Sequence, residues 1–266
     1  MFGAIYGDIA GSAYEFRNIR TKDFTLFERP CRFTDDTVMT LAVAKALTDT
    51  DRAEGTEGFR ERLIDAMHAF GRTYPYAGYG GYFHRWLKSE SRTPYHSFGN
   101  GSAMRVSPVA WFAETLEEAL LYAQASAEVT HDHPEGIKGA IVTAGAVFLA
   151  RRSASKEEIA DFIVPYYTLD FTLDEIRPHY IFDATCQGSV PQAMQAFLEA
   201  ESFEDTIKNA ISIGGDSDTI AAIAGAVAEA YYGMTEEEKD KARSYLTDHL
   251  REVISDFEKK YGAIRR

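Results

Sequence analysis

Two short stretches of this chain crowd oxygen-bearing side chains together: Thr34-Asp35-Asp36-Thr37 and Gly214-Gly215-Asp216-Ser217-Asp218-Thr219. An almost wholly apolar run, Ile220 to Tyr232, follows the second. Residues two apart on a helix point away from each other, so Asp216 and Asp218 converge only in a turn at a helix start. There the helix dipole favours their charge. Thr34, Asp35, Asp36, Asp216, Asp218 and Thr219 offer only oxygen ligands, a set that selects Mg²⁺, Mn²⁺ or Ca²⁺ over zinc or copper. Four converging aspartates would carry a charge of about −4, to be balanced by two divalent cations or relieved by protonation. Two such ions can orient one water and polarise a substrate oxygen. Spacing alone equally allows each cluster to be a solvated cap of its helix.

Helices must position these residues. A Ser or Thr followed three residues later by an acid recurs at Thr115/Glu118, Ser155/Glu158, Thr172/Glu175, Ser202/Asp205 and Thr235/Glu238. Each is a helix-start signature. Ser189-Val190-Pro191-Gln192 predicts a further start with proline in the first turn. Apolar residues at 220, 223, 224, 227, 228 and 231 keep helical spacing. The Gly- and Ala-rich segment 136–151 would let neighbouring helices approach closely. Residues 164–171 could pass for a strand between two capped helices, and 18–33 and 72–101 are expected to be ordered loops. No linker, charge block or repeat divides the chain. The expectation is one all-α domain over residues 1–266.

Composition narrows the function. The 266 residues suffice for a sizeable core. A net charge of −13 argues against a general nucleic-acid or anionic-membrane partner. Cys31 and Cys186 are too few for a disulfide framework, which fits a reducing cytoplasm. The N-terminus lacks a basic region and meets Asp8 early, unlike a signal peptide. No apolar run reaches the ~18 residues of a membrane span.

Five motifs, in order, carry a resemblance: Gly7-Asp8-Ile9-Ala10-Gly11-Ser12-Ala13-Tyr14-Glu15; Thr34 to Thr37; Gly99-Asn100-Gly101-Ser102-Ala103-Met104-Arg105; His131 with Gly136 and Gly139-Ala140; and Gly214 to Thr219. Together they resemble the ADP-ribosylglycohydrolase (ADP-ribosyl-acceptor hydrolase) family, which includes the dinitrogenase-reductase-activating glycohydrolases. The resemblance implies a compact orthogonal bundle of about a dozen helices around two Mg²⁺ (or Mn²⁺) ions. It implies hydrolysis of the bond between C1″ of ADP-ribose and an ADP-ribosylated protein or small molecule, releasing ADP-ribose. By the same resemblance Thr34, Asp35, Asp36, Asp216, Asp218 and Thr219 are metal ligands, and Glu15, Asp35, Asp36 and Asp216 serve catalysis. Ser97, Phe98, Gly99, Asn100, Gly101, Ser102 and His131 would contact the ligand.

Each residue also has a plainer role. Glu15 could be a surface acid of a first helix, and its chemistry in the motif would suit a general base. Asp8 is expected to be structural rather than a ligand. His131 and His133 flank Asp132, but no third soft ligand lies near, so a neutral, hydrogen-bonding His131 fits better than zinc. The 99–102 turn could present backbone N–H groups to a diphosphate or merely turn the chain. Gly78, Gly80 and Gly81, interleaved with Tyr76, Tyr79 and Tyr82, suggest an aromatic wall for adenine or the acceptor, or a packed loop. Arg105 is expected to be a buried ion-pair partner. Rival functions are a metal-dependent phosphohydrolase acting on the diphosphate, and a catalytically silent ADP-ribose-binding relative. The acceptor, whether arginine, serine, a guanidino compound, a nucleic-acid end or O-acetyl-ADP-ribose, stays open.

Overall fold

A computed structural model describes residues 1–89 and 92–262. The helices run α1 Phe2–Gly11, α2 Asp35–Asp49, α3 Gly55–Thr73, α4 Gly81–Lys88, α5 Gly101–Met104, α6 Ser107–Phe112, α7 Leu116–Glu128 and α8 Pro134–Arg151. They continue as α9 Lys156–Ile163, α10 Leu173–Ile176, α11 Cys186–Leu198, α12 Phe203–Ser212, α13 Ser217–Tyr232, α14 Glu236–Ser244 and α15 Asp248–Tyr261. The described residues contain no strand. Their buried apolar side chains form one continuous cluster.

Side-chain caps set the starts. Thr115, Ser155, Thr172, Ser202 and Thr235 each accept a hydrogen bond from the N–H three residues on, as the sequence predicts. The reciprocal bond from the acid closes at Ser155, Thr172 and Thr235. Glu118 and Asp205 instead accept from Glu114 N and Glu201 N, one residue before the cap. These bonds satisfy donors that a helix start leaves unpaired.

Three expectations need correction. Residues 164–171 form a turn and loop after α9, not a strand. The start placed at Ser189 lies one turn too late. Thr185 caps α11 by accepting from Gly188 N at 3.0 Å, so Pro191 falls inside the helix. Ser189 donates to the Asp183 carbonyl at 2.8 Å rather than capping. The stretch 72–101, expected as loop, contains α4.

Close approach happens where glycine removes the side chain. A methyl group placed on Gly139 would lie 2.4 Å from Cys186 Sγ, and one on Gly145 2.2 Å from the Phe162 ring. The tighter case joins α1 to α13. Gly3, Gly7 and Gly11 recur every four residues and form one stripe. A methyl on Gly3 would lie 2.0 Å from the Gly225 carbonyl oxygen, on Gly7 2.1 Å from that of Ala221, and on Gly11 2.5 Å from that of Ser217. Backbone rests on backbone, and the start of α13 is thereby fixed against the end of α1. Every residue of α1, Asp8 included, is buried.

Gly7→Ala should therefore force the two backbones apart. Overpacking of this kind typically costs about 1–3 kcal/mol, measurable by chemical denaturation. Gly81→Ala, where nothing lies within 4 Å, should stay within about 0.5 kcal/mol of the parent. Equal stability of the two variants would contradict the stripe's role.

Candidate metal centre

The two acidic stretches occupy equivalent places at the starts of α2 and α13. Thr34 is the cap of α2 and Asp35 and Asp36 its first two residues. Asp216 is the cap of α13, with Asp218 its second residue. Thr34 Oγ1 accepts from Asp36 N at 3.3 Å, while Asp216 makes no capping bond and leaves its carboxylate for other partners. Gly214 and Gly215 have φ of +74° and +73°, conformations that favour glycine. Asn18 holds this turn, donating to the Gly215 carbonyl at 3.0 Å and accepting from Gly215 N at 2.9 Å. Arg20 donates to the carbonyls of Ile213, Arg177 and Tyr180 behind it.

The starts meet. Thr219 Oγ1 donates to Asp36 Oδ2 at 3.2 Å across the interface. Between them lies a cleft of about 290 Å³ lined by Glu15, Asp35, Asp36, Asp216, Asp218 and Thr219 among others. Thr34 does not line it; its hydroxyl donates to Asp8 Oδ1 at 2.6 Å. Asp8 also accepts from the N–H groups of Thr34 and Thr37, at 2.9 and 3.1 Å, and from the Thr37 hydroxyl. It thus caps α2 from a different helix, the structural role expected of it. Asp8 nonetheless belongs to the acidic cluster: Asp8, Asp36 and Asp218 form one trio with carboxylate oxygens within 4.8 Å of one another, and Glu15, Asp216 and Asp218 form another.

These carboxylates share an electrostatic problem. Burial, then Asp216, raises the Glu15 carboxyl to about 7, with Arg32 pulling the other way. Burial, then Asp8, raises Asp35 to about 8. Burial, then Asp8 and Asp35, pushes Asp36 well above the usual carboxylate range, and burial, then Asp36, does the same to Asp218. Burial also raises Asp8 and Asp216 against their hydrogen bonds. A hard cation would relieve both burial and repulsion. The donor set fits one: all its atoms are oxygens, and Asp36 Oδ1 is buried without a hydrogen-bond partner.

The other end of the cleft is neutral or donor-rich. Ser97, Gly99, Asn100, Gly101 and His131 line it; Phe98 and Ser102 do not. The Phe98 ring is 46% exposed and lies edge-on to His133, while Ser102 Oγ turns inward to the Gly136 carbonyl at 2.7 Å. The Asn100 side chain serves the acidic end, donating to Asp216 Oδ2 at 2.7 Å and Ser189 Oγ at 2.9 Å. An antiparallel bridge between Gly99 and Thr185 ties this loop to the start of α11. His131 is 4% exposed and kept neutral by burial and by Arg105. Arg105 is not the expected ion-pair partner. Buried at 1% exposure, it forms no salt bridge among the described residues and donates to the Ser126 carbonyl and the Thr130 hydroxyl. Tyr82 and Tyr95 stack at one side of the mouth, and Phe182 also lines the cleft. Of the tyrosine–glycine stretch, Gly78, Gly80, Gly81 and Tyr82 reach the cleft; Tyr76 is 94% exposed.

An all-α bundle that joins two acidic helix starts in one buried cleft, with a glycine loop opposite, defines a hydrolase-like centre suited to hard cations. The chain belongs to the ADP-ribosylglycohydrolase family, whose model matches residues 1–262. It is 29% identical over 314 residues to the ADP-ribosylhydrolase ARH3 of Homo sapiens, covering 87% of this chain and 84% of that one. It is 28% identical over 226 residues to the ADP-ribosyl-[dinitrogen reductase] glycohydrolase of Rhodospirillum rubrum, covering 77% and 71%. A solved ADP-ribosylglycohydrolase-related protein complex shares the fold at a TM-score of 0.64 and 22% identity, over 97% of this chain and 96% of that one.

The raised carboxylates set a pH signature. A carboxyl whose folded pKa exceeds its unfolded value of about 4 contributes favourably below that value, and the contribution is lost as pH rises through the folded pKa. For Glu15 and Asp35 that loss runs up to about 7 and about 8. In chelator the melting temperature should fall as pH is raised from about 6 to about 9, and added Mg²⁺ or Mn²⁺ should restore it. The restored increment should grow with pH, because cation and protons compete for the same oxygens. Calorimetry across that range checks this; a cation effect independent of pH would count against the cluster as the binding site.

Proposed function

We propose that this protein hydrolyses the C1″ glycosidic bond of an ADP-ribosylated acceptor, releasing ADP-ribose, with two Mg²⁺ or Mn²⁺ ions at the acidic end of the cleft. The observation that carries this reading is the meeting of Asp36, Asp216, Asp218 and Glu15 around one cavity, with a glycine loop and a neutral histidine opposite. Family membership and the names of its relatives support the substrate class. Asp35, Asp36, Asp216, Asp218 and Thr219 would hold the cations, which supply positive charge against sugar hydroxyls and polarise oxygens brought to them.

The chain's own residues then divide the work. The cluster fixes the distal ribose with C1″ near Glu15. Water adds to C1″ as the bond to the acceptor breaks, and the Glu15 carboxylate takes the water's proton. Passed to the leaving nitrogen or oxygen, that proton completes the balance. Remaining carboxylates stabilise the positive charge that develops on the sugar as the bond breaks. Gly99, Gly101 and His131 face the diphosphate, while Tyr82 and Phe182 offer flat surfaces at the mouth. Thr34 supports the site by fixing Asp8 and Asp36 rather than by touching the ligand.

The assay is release from arginine- and serine-linked ADP-ribosylated substrates, with and without Mg²⁺ or Mn²⁺. Free ADP-ribose is the expected product; AMP would instead indicate cleavage of the diphosphate. Asp218→Asn and Asp36→Asn should abolish turnover. Glu15→Gln should lower kcat by about 10²–10⁴-fold, the range for a lost general base, while cation binding by calorimetry persists. Full activity in Asp218→Asn would remove the proposal.

A further inference from the structure

Arg105 and His131, which both line the cleft, are joined through Thr130 in a buried chain of hydrogen bonds. Arg105 Nη2 donates to the Ser126 carbonyl at 2.7 Å and to Thr130 Oγ1 at 2.9 Å. Thr130 Oγ1 lies 2.7 Å from His131 Nδ1. Arg105, Thr130 and His131 are 1%, 0% and 4% exposed. A guanidinium only donates, so the Thr130 oxygen is an acceptor in the first contact. Its single proton then has one place to go among these contacts, the lone pair of His131 Nδ1. Were Nδ1 protonated instead, the threonine oxygen would accept twice and its own buried hydrogen would be left without an acceptor, at a cost of about 1–3 kcal/mol.

The geometry points to Arg105 and Thr130 as positioning residues that fix His131 in the tautomer with hydrogen on Nε2, aimed as a donor at an anionic oxygen of the ligand. His131 lines the cleft, and Nε2 has no protein partner among the described residues. It lies against the glycine loop: a methyl placed on Gly101 would be 3.1 Å from it, and one on Gly99 3.5 Å. A neutral N–H donor suits a diphosphate there, because a carboxylate would repel it. Burial and the neighbouring Arg105 charge keep the ring neutral. Arg105 has no carboxylate partner among the described residues, so its charge faces the neutral end of the cleft uncompensated. The choice of a diphosphate as the acceptor of this bond rests on the function proposed above; the tautomer does not.

Two readouts separate these parts. Long-range ¹H–¹⁵N spectra of the histidine-labelled wild-type protein should show His131 neutral with its proton on Nε2. A ring protonated on Nδ1, or on both nitrogens at neutral pH, overturns the relay without any variant. Thr130→Val keeps the shape and removes the hydroxyl, so it should yield mixed tautomers and weaken ADP-ribose binding by the fraction of the Nε2–H form lost, about 2-fold for an even mixture. KM should rise by a similar factor with kcat unchanged, since the diphosphate is held equally before and during bond cleavage. Thr130→Ser should restore spectrum and affinity. If Thr130→Val moves neither, the relay is wrong. A wild-type protein with the expected tautomer but no affinity for ADP-ribose would support the relay and refute the proposed ligand.

Discussion

Burying several carboxylates in one cleft is unfavourable twice over, once for lost hydration and again for mutual repulsion. Asp8, Asp36, Asp216 and Asp218 all lie at or below 6% exposure, so something must hold them together against both effects. The contact of α1 with α13 through Gly3, Gly7 and Gly11 supplies that restraint. At backbone-to-backbone distance there are no flexible side chains to yield. Asp8 on one helix and Asp218 on the other thus cannot relax apart without separating the helices. The strain is concentrated where a cation would relieve it, which is how binding and folding become linked.

Helix starts are the natural place for such a cluster. Unpaired N–H groups and the dipole favour negative charge in the first turn, and Asp35 and Asp36 of one start and Asp216 and Asp218 of the other line one cleft. Using two starts doubles the number of oxygens available without burying a charged residue inside a helix. Asp8 shows the cost of the alternative. As an acid within a fully buried helix, it receives four hydrogen bonds, from the N–H and hydroxyl groups of Thr34 and Thr37. Those bonds also lock the start of α2, so the acid that is hardest to bury aligns the two that face the cleft.

Local signals were the most legible in the sequence. The five Ser/Thr caps are all real, because capping is decided within four residues of chain. The repeated acidic pattern at 34–37 and 214–219 correctly marked two helix starts, and the ordered motifs correctly marked the family. What failed was decided by distant partners. Ser189 looks like a cap, yet its hydroxyl is engaged by Asp183 and Asn100, and Thr185 takes the capping role. Asn100 belongs to the glycine loop in sequence but to Asp216 in space. Arg105 suggested an ion pair because buried arginines usually have one, and its carbonyl and hydroxyl acceptors come from the end of α7 and the turn beyond it. Close packing was expected at 136–151, whereas the tightest contact, of Gly3, Gly7 and Gly11 on α13, was not, because its partner surface, Ser217 to Gly225, lies far along the chain.

The lining of the cleft is electrostatically divided, and this constrains what can occupy it. Glu15, Asp36, Asp216 and Asp218 make one part anionic or cation-filled, while the buried Arg105 cation and neutral His131 line another. A ligand with only phosphates would face repulsion from the bare acids; one with only hydroxyls would leave the His131 donor unused. A molecule carrying a diol beside an anionic group satisfies both. ADP-ribose has that pairing, with the distal ribose joined directly to the diphosphate. Charge placement therefore selects a diol beside an anionic group, the pairing that the proposed substrate carries.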